Sequence, residues 1–162
     1  MPAISRMRSL VVLPFVMLAL CLGLVATTVS TAPKADAALT RSAKILNGLT
    51  IAKHQQGDPY SYGSAGPGRF DCSGLVYYSM RKAGISVPRS SGAQAGATRR
   101  ISKSNMKPGD LMFFSSGGHV YHVAIFVGWK DGHRRMIDAP KSGDHVRIRA
   151  PWTSDWYAGT LR

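Results

Sequence analysis

No glutamate occurs anywhere in the 162-residue chain, so its eight acidic residues are all aspartate against 21 Lys and Arg, a net charge of +13. Such an imbalance says little about fold, but it favours polyanionic partners. Nucleic acid is the obvious polyanion, yet the helix-turn-helix, zinc-finger and aromatic RNA-binding signatures are all missing. Cysteine is nearly absent too: only Cys21 and Cys72 occur, and Cys21 lies in an apolar run near the N-terminus. There is no internal repeat and no long linker, and the length suits one domain.

The apolar run extends from Leu10 to Ala26, behind Arg6 and Arg8 and ahead of Thr, Ser and Pro. Ala35-Asp36-Ala37 is a small-residue pattern suited to signal-peptidase cleavage, and Ser30-Thr31-Ala32 is a second. Residues 1–37 are therefore expected to be a signal peptide, and 38–162 an exported domain that acts outside the cell or at the wall. The alternative is an uncleaved anchor, since the run approaches the length that crosses a bilayer; membrane contact is expected only in that case. Cleavage after Ala37 removes three basic residues and one acidic one, leaving +11 and a surface suited to anionic wall polymers. It also leaves Cys72 alone, so no internal disulfide can form. A lone thiol in an oxidising compartment is either buried or has a function.

Period and punctuation predict an α+β chain, helices first and strands after. Helices are expected over Leu39–Gln56 and Cys72–Ala83, the second capped by Asp71, closed by Gly84 and burying Leu75, Val76, Ser79, Met80 and Ala83. The looser stretch Ser86–Ser104 suggests one short helix near Gln94. Strands are expected at Asp110–Phe114, His122–Trp129, Arg135–Ala139, Val146–Arg149 and Trp156–Leu161, as an antiparallel sheet. The second is apolar on both faces, as a central strand covered on both sides would be.

Cys72 falls in the first turn of its helix, where free N–H groups and the helix dipole favour negative charge. The thiolate is the nucleophilic form, so this position suits a nucleophile as well as it suits a buried structural Cys. Gly74 would leave room for close approach of a substrate. A thiolate that cleaves an amide also needs an acid for the departing amine. Of His54, His119, His122, His133 and His145, only His122 opens the most apolar strand, where the strand can fix it at the rim of a cleft. His119 and His122 lack the companions of a metal site, so neither metal nor cofactor is expected.

Asp58-Pro59-Tyr60-Ser61-Tyr62-Gly63, followed by Phe70-Asp71-Cys72-Ser73-Gly74-Leu75-Val76, resembles the opening of the NlpC-type family of bacterial cell-wall cysteine peptidases. Further segments follow in the family's order: Val87-Pro88-Arg89-Ser90-Ser91 with Gln94, Lys107-Pro108-Gly109-Asp110-Leu111, His122-Val123-Ala124-Ile125 and Met136-Ile137-Asp138-Ala139-Pro140. The resemblance implies a circularly permuted papain-like fold and hydrolysis of peptidoglycan stem peptides, commonly between D-glutamate and diaminopimelate. It makes Cys72 the nucleophile, His122 the base and acid, and Tyr60 a partner of the Cys72 N–H in binding the oxyanion. Asp71 and Ser73 match residues beside the substrate's free amine, and Arg89 is a further substrate candidate. Read from the residues alone, Tyr60 also suits a core aromatic and Asp71 a helix cap. Asp138 stands where the family often has His, and an Asp can orient an imidazole as in other triads. Tyr62-Gly63-Ser64 departs from the Trp-Gly-Gly common in the family. An amidase, an antibacterial toxin and an inactive wall-binding protein of the same fold are the rival readings; a monomer is expected.

One geometric demand follows. A two-residue Asp131-Gly132 hairpin would pair Asp138 with Ile125, on the face opposite to His122. The connection is therefore expected to be wider or bulged, centred on Lys130, with the Asp138 carboxylate in reach of the His122 ring.

Overall fold

A computed structural model describes residues 32–162, and these form one unit. The rest of the expected leader lies outside the described residues. Helix α1 runs Ala32–Lys53, starting earlier than expected because the Ala-rich segment from Ala32 to Ala38 is itself helix-forming. On α1, Ile45, Leu49 and Ala52 face the core, while Leu46 is 47% exposed. Helix α2, Cys72–Lys82, packs beside it and buries Leu75, Val76, Ser79 and Met80 as expected. A short helix α3, Ser91–Gly96, follows, capped by the Ser90 hydroxyl.

The strands are β1 Arg99–Ile101, β2 Leu111–Ser116, β3 His119–Lys130, β4 His133–Asp138, β5 Arg147–Arg149 and β6 Trp156–Thr160. They form one antiparallel sheet in the order β1-β6-β2-β3-β4-β5. β1 was not expected; its two arginines are exposed and leave no apolar alternation to read. β3 lies inside the sheet and is covered on both faces. Val123 and Ile125 join Ile45, Leu49, Leu75, Phe113 and Ile137 in the core under the helices. Ala124 and Phe126 join Met112, Phe114, Met136, Trp156 and Ala158 in a second cluster that no helix contributes to. Each large side chain buried this way contributes roughly 1.5–3 kcal/mol.

The β3–β4 connection keeps the two-residue turn. Asp131 (φ 52°) and Gly132 (φ 74°) both take left-handed backbone, as a type I′ hairpin requires. Lys130 accordingly pairs with His133 and Gly128 with Arg135, but Phe126 then pairs with Met136 and Ile125 with Ile137. The extra residue is Val127, a bulge inside β3. The parity change demanded by the sequence is present, but it arises within the strand and not at Lys130. Asp138 therefore falls across from Ala124, diagonal to His122 and on the same face.

Candidate active site

Cys72 is the first residue of α2, partly exposed and unpaired. Its helix starts there because Asp71 in extended conformation caps it, Oδ1 accepting the Gly74 N–H at 2.7 Å. Gly74 has a different purpose from the one expected. A Cβ built on it would lie 2.0 Å from the Ser64 carbonyl oxygen. Glycine is required so that the loop before α2 can pack against the helix's first turn, not to admit substrate.

The same Asp71 holds that loop together. Its carboxylate accepts five hydrogen bonds, from the Gly63 and Gly74 N–H groups, the Ser73 hydroxyl and both Nη atoms of Arg89. Arg89 also donates to the Ser73 hydroxyl and the Ser64 carbonyl. Burial alone would raise the carboxyl, but the Arg89 and Gly74 hydrogen bonds outweigh it and hold Asp71 below the usual carboxylate range. The three residues singled out as substrate contacts are thus one network, and all three line a cleft of about 620 Å³ with Tyr60, Tyr62, Cys72 and Tyr121. Tyr60 stands beside Cys72 in that cleft. Burial first, then the charges on Cys72 and Asp71, raise the phenol above its ordinary value, so it remains a proton donor.

His122 approaches from the sheet, 5% exposed. Its Nε2 lies 2.8 Å from Asp138 Oδ2. An ionised carboxylate only accepts, so Nε2 carries the proton and Nδ1 is left for Cys72. Burial opposes charge on the ring, but hydrogen bonds with Asp138 and Cys72 and their charges prevail, raising His122 to about 9. Asp138, fully buried, would be raised by its burial; His122 and Arg149 instead hold it below the ordinary carboxylate value.

Two residues that the sequence reading passed over complete this arrangement. Arg149 on β5 forks onto Asp138, Nε to Oδ1 at 3.0 Å and Nη2 to Oδ2 at 2.7 Å. Trp152 stacks on Phe114 with centroids 4.2 Å apart, meets the His122 ring edge-to-face at 5.2 Å and carries the Arg149 guanidinium 4.5 Å from its centroid. The only sequence signal was the alternation Arg147-Ile148-Arg149, which places both arginines on one face. A second cavity of about 390 Å³ opens beside His122, lined by Tyr121, Lys141, Arg147 and Trp152. The Cys72–His122 contact therefore stands between two cavities. Of the other histidines, His119 is exposed and lines the Cys72 cleft, His54 is exposed just after α1, His145 is exposed beside Asp144, and His133 begins β4.

The NlpC/P60 family model matches residues 57–162. The chain belongs to the NlpC/P60 family. A protein named probable endopeptidase p60, from Listeria monocytogenes, is 50% identical over 95 residues, which are 59% of this chain and 19% of that one. A bifunctional muramidase/DL-endopeptidase, CwlT of Bacillus subtilis, is 44% identical over 54% of this chain and 27% of its own. This chain thus spans only about a fifth to a quarter of these relatives. Among solved structures, the peptidoglycan hydrolase RipB of Mycobacterium tuberculosis has a TM-score of 0.66 at 27% identity, covering 76% of this chain and 67% of that one. RipD of the same organism, described as a non-catalytic NlpC/p60 domain protein adapted to peptidoglycan binding, superposes at 0.62 with 25% identity, over 74% of this chain and 98% of its own. NlpC/P60 membership alone therefore does not decide between hydrolysis and binding.

Proposed function

We propose that the chain is an exported thiol hydrolase of peptidoglycan stem peptides, cutting the bond between D-glutamate and diaminopimelate. The observation that carries the reading is a helix-terminal Cys72 beside an imidazole whose far nitrogen is held at 2.8 Å by a buried carboxylate. A binding protein has no use for a charged histidine kept inside the fold at the cost of desolvating it. The named activities of the p60, CwlT and RipB relatives support the substrate class.

In this reading the Cys72 thiolate attacks the carbonyl carbon, and the oxyanion is met by the Tyr60 hydroxyl and the Cys72 N–H at the start of α2. Collapse of the adduct breaks the C–N bond, and His122 passes its proton to the departing amine. Water then attacks the thioester, with neutral His122 taking its proton, and the acid and free thiol are released. Asp138 holds the ring in the working tautomer throughout. The cleft of Tyr60, Asp71, Ser73 and Arg89 takes the acyl side, and the cavity beside His122 takes the leaving amine.

Digestion of purified peptidoglycan, with mass analysis of the products, tests this. Fragments with a new D-glutamyl carboxyl and a new diaminopimelyl amine are expected, and none from Cys72→Ser or alkylated protein. Release of whole stem peptides from the sugar would make it an amidase. Intact walls that nevertheless pellet the protein would make it a binding domain.

A further inference from the structure

Among the described residues, four arginines (Arg89, Arg147, Arg149 and Arg162) are paired with aspartates, as is usual for cations held in place by a fold. Arg134 is held just as firmly without one. Its guanidinium lies 4.4 Å from the centroid of Trp129 and 5.6 Å from that of Trp156. Lys103 caps Trp156 at 4.2 Å and is fixed by a 2.7 Å bond from Nζ to the Ser154 carbonyl. Aromatic faces attract cations but supply no acceptor in the plane of a guanidinium. Among the described residues, the sole hydrogen bond made by Arg134 is from Nη2 to the Lys103 carbonyl, at 3.5 Å, the outer limit of such a contact. Its Nε is buried with no partner.

These cations flank a cavity of about 290 Å³ between the β3–β4 hairpin and the segment leading into β6, lined also by His133 and Ser154. Among the described residues no carboxylate lines it, and it shares no lining residue with the two cavities at Cys72 and His122. Two immobilised cations, a histidine and a hydroxyl around one small cavity suit an anion with several oxygens better than they suit a carboxylate, which a single fork satisfies. Trp129 is 57% exposed and sets an apolar wall beside them, suited to the C–H face of a polyol.

We propose that this pocket binds phosphate carried on a polyol, as in a glycerol-phosphate unit, and so tethers the protein at a point separate from its catalytic cleft. Because the aromatic rings already fix both cations, little side-chain entropy is left to lose on binding.

Calorimetric titration of the full chain with glycerol 1-phosphate and with a poly(glycerol phosphate) oligomer tests the proposal, neutral glycerol being the blank. Saturable binding is expected, weakened about tenfold by Arg134→Gln and by Lys103→Gln, in line with the loss of one charge-assisted bond. Cleavage of a short soluble stem peptide should be unchanged by Lys103→Gln, which also carries the test if Arg134→Gln fails to fold. Lys82→Gln, an exposed charge change on α2, should leave binding intact. Pelleting with phosphatidylglycerol vesicles separates the sources: capture that depends on Lys103 assigns the phosphate to a lipid headgroup, and binding confined to the soluble oligomer assigns it to a wall polymer. No saturable binding, wild-type affinity in both pocket variants, or an equal loss in Lys82→Gln would overturn the proposal, the last by reducing it to net charge.

Discussion

Replacing Asp138 by Asn keeps the shape of the side chain and removes what both of its partners use. The carboxylate now accepts from His122 on one side and from the Arg149 fork on the other, and both oxygens are engaged. An amide has one oxygen and an NH2. Whichever way it turns, either the imidazole or the guanidinium faces a donor. The rise of His122 from 6.5 to about 9 corresponds to roughly 3 kcal/mol of preference for the charged ring, shared between Asp138 and Cys72. Losing the Asp138 share, together with the working tautomer, should lower kcat/KM on a soluble stem peptide by about 10²–10³-fold. The fold should lose about 2–3 kcal/mol, less than for a fully buried pair because Arg149 is 24% exposed and regains some solvent. In a domain of this size that is a fall in Tm of roughly 5–10 °C. Peptide cleavage and thermal unfolding measured on the same preparation check both numbers. A variant whose Tm falls while kcat/KM stays within about threefold of wild type would refute the reasoning, because Asp138 would then be an anchor for Arg149 and nothing more.

The pH dependence of stability follows from His122. Its value in the fold lies above its ordinary one, so its contribution is complete below about pH 6.5 and is lost as pH rises through about 9. Thermal unfolding should show Tm declining over that interval, and His122→Gln should flatten the slope; a wild-type Tm constant across it would contradict the His122 assignment. Gly74→Ala should destabilise by about 1–3 kcal/mol, since its Cβ would displace the Ser64 carbonyl and, with it, the loop that Asp71 holds. Chemical denaturation measures this, and a neutral result would mean that the loop moves freely.

The helices and most strands were legible because their apolar stretches are long and their caps conventional: Asp71 before α2, unbroken apolar runs through β2 and β3. Pairing was legible only in part. The need for a parity change between His122 and Asp138 followed from counting residues, but Val127 looks like any other residue of an apolar strand, and the one mark of the bulge was its neighbour Gly128, a lone strand glycine at φ 138°. Arg149 and Trp152 were missed for another reason. Their importance depends on which strand lies beside β4, and sheet order is not written in any local pattern. Asp71, Ser73 and Arg89 were singled out as separate contacts, whereas the fold binds them into one network through tertiary hydrogen bonds.

The bulge at Val127 makes the number of residues between His122 and Asp138 a property of the site in its own right. Substitutions along β3 and β4 change what the two strands carry but not how they count. A one-residue slip that took Val127 back into the ladder would let the strands pair without interruption from the hairpin onward, a sheet at least as regular as the present one. It would also turn Asp138 to the opposite face from His122, taking Arg149's anchor with it. Such a slip would therefore yield a well-paired strand and an idle histidine, which makes register here a harder constraint than side-chain identity.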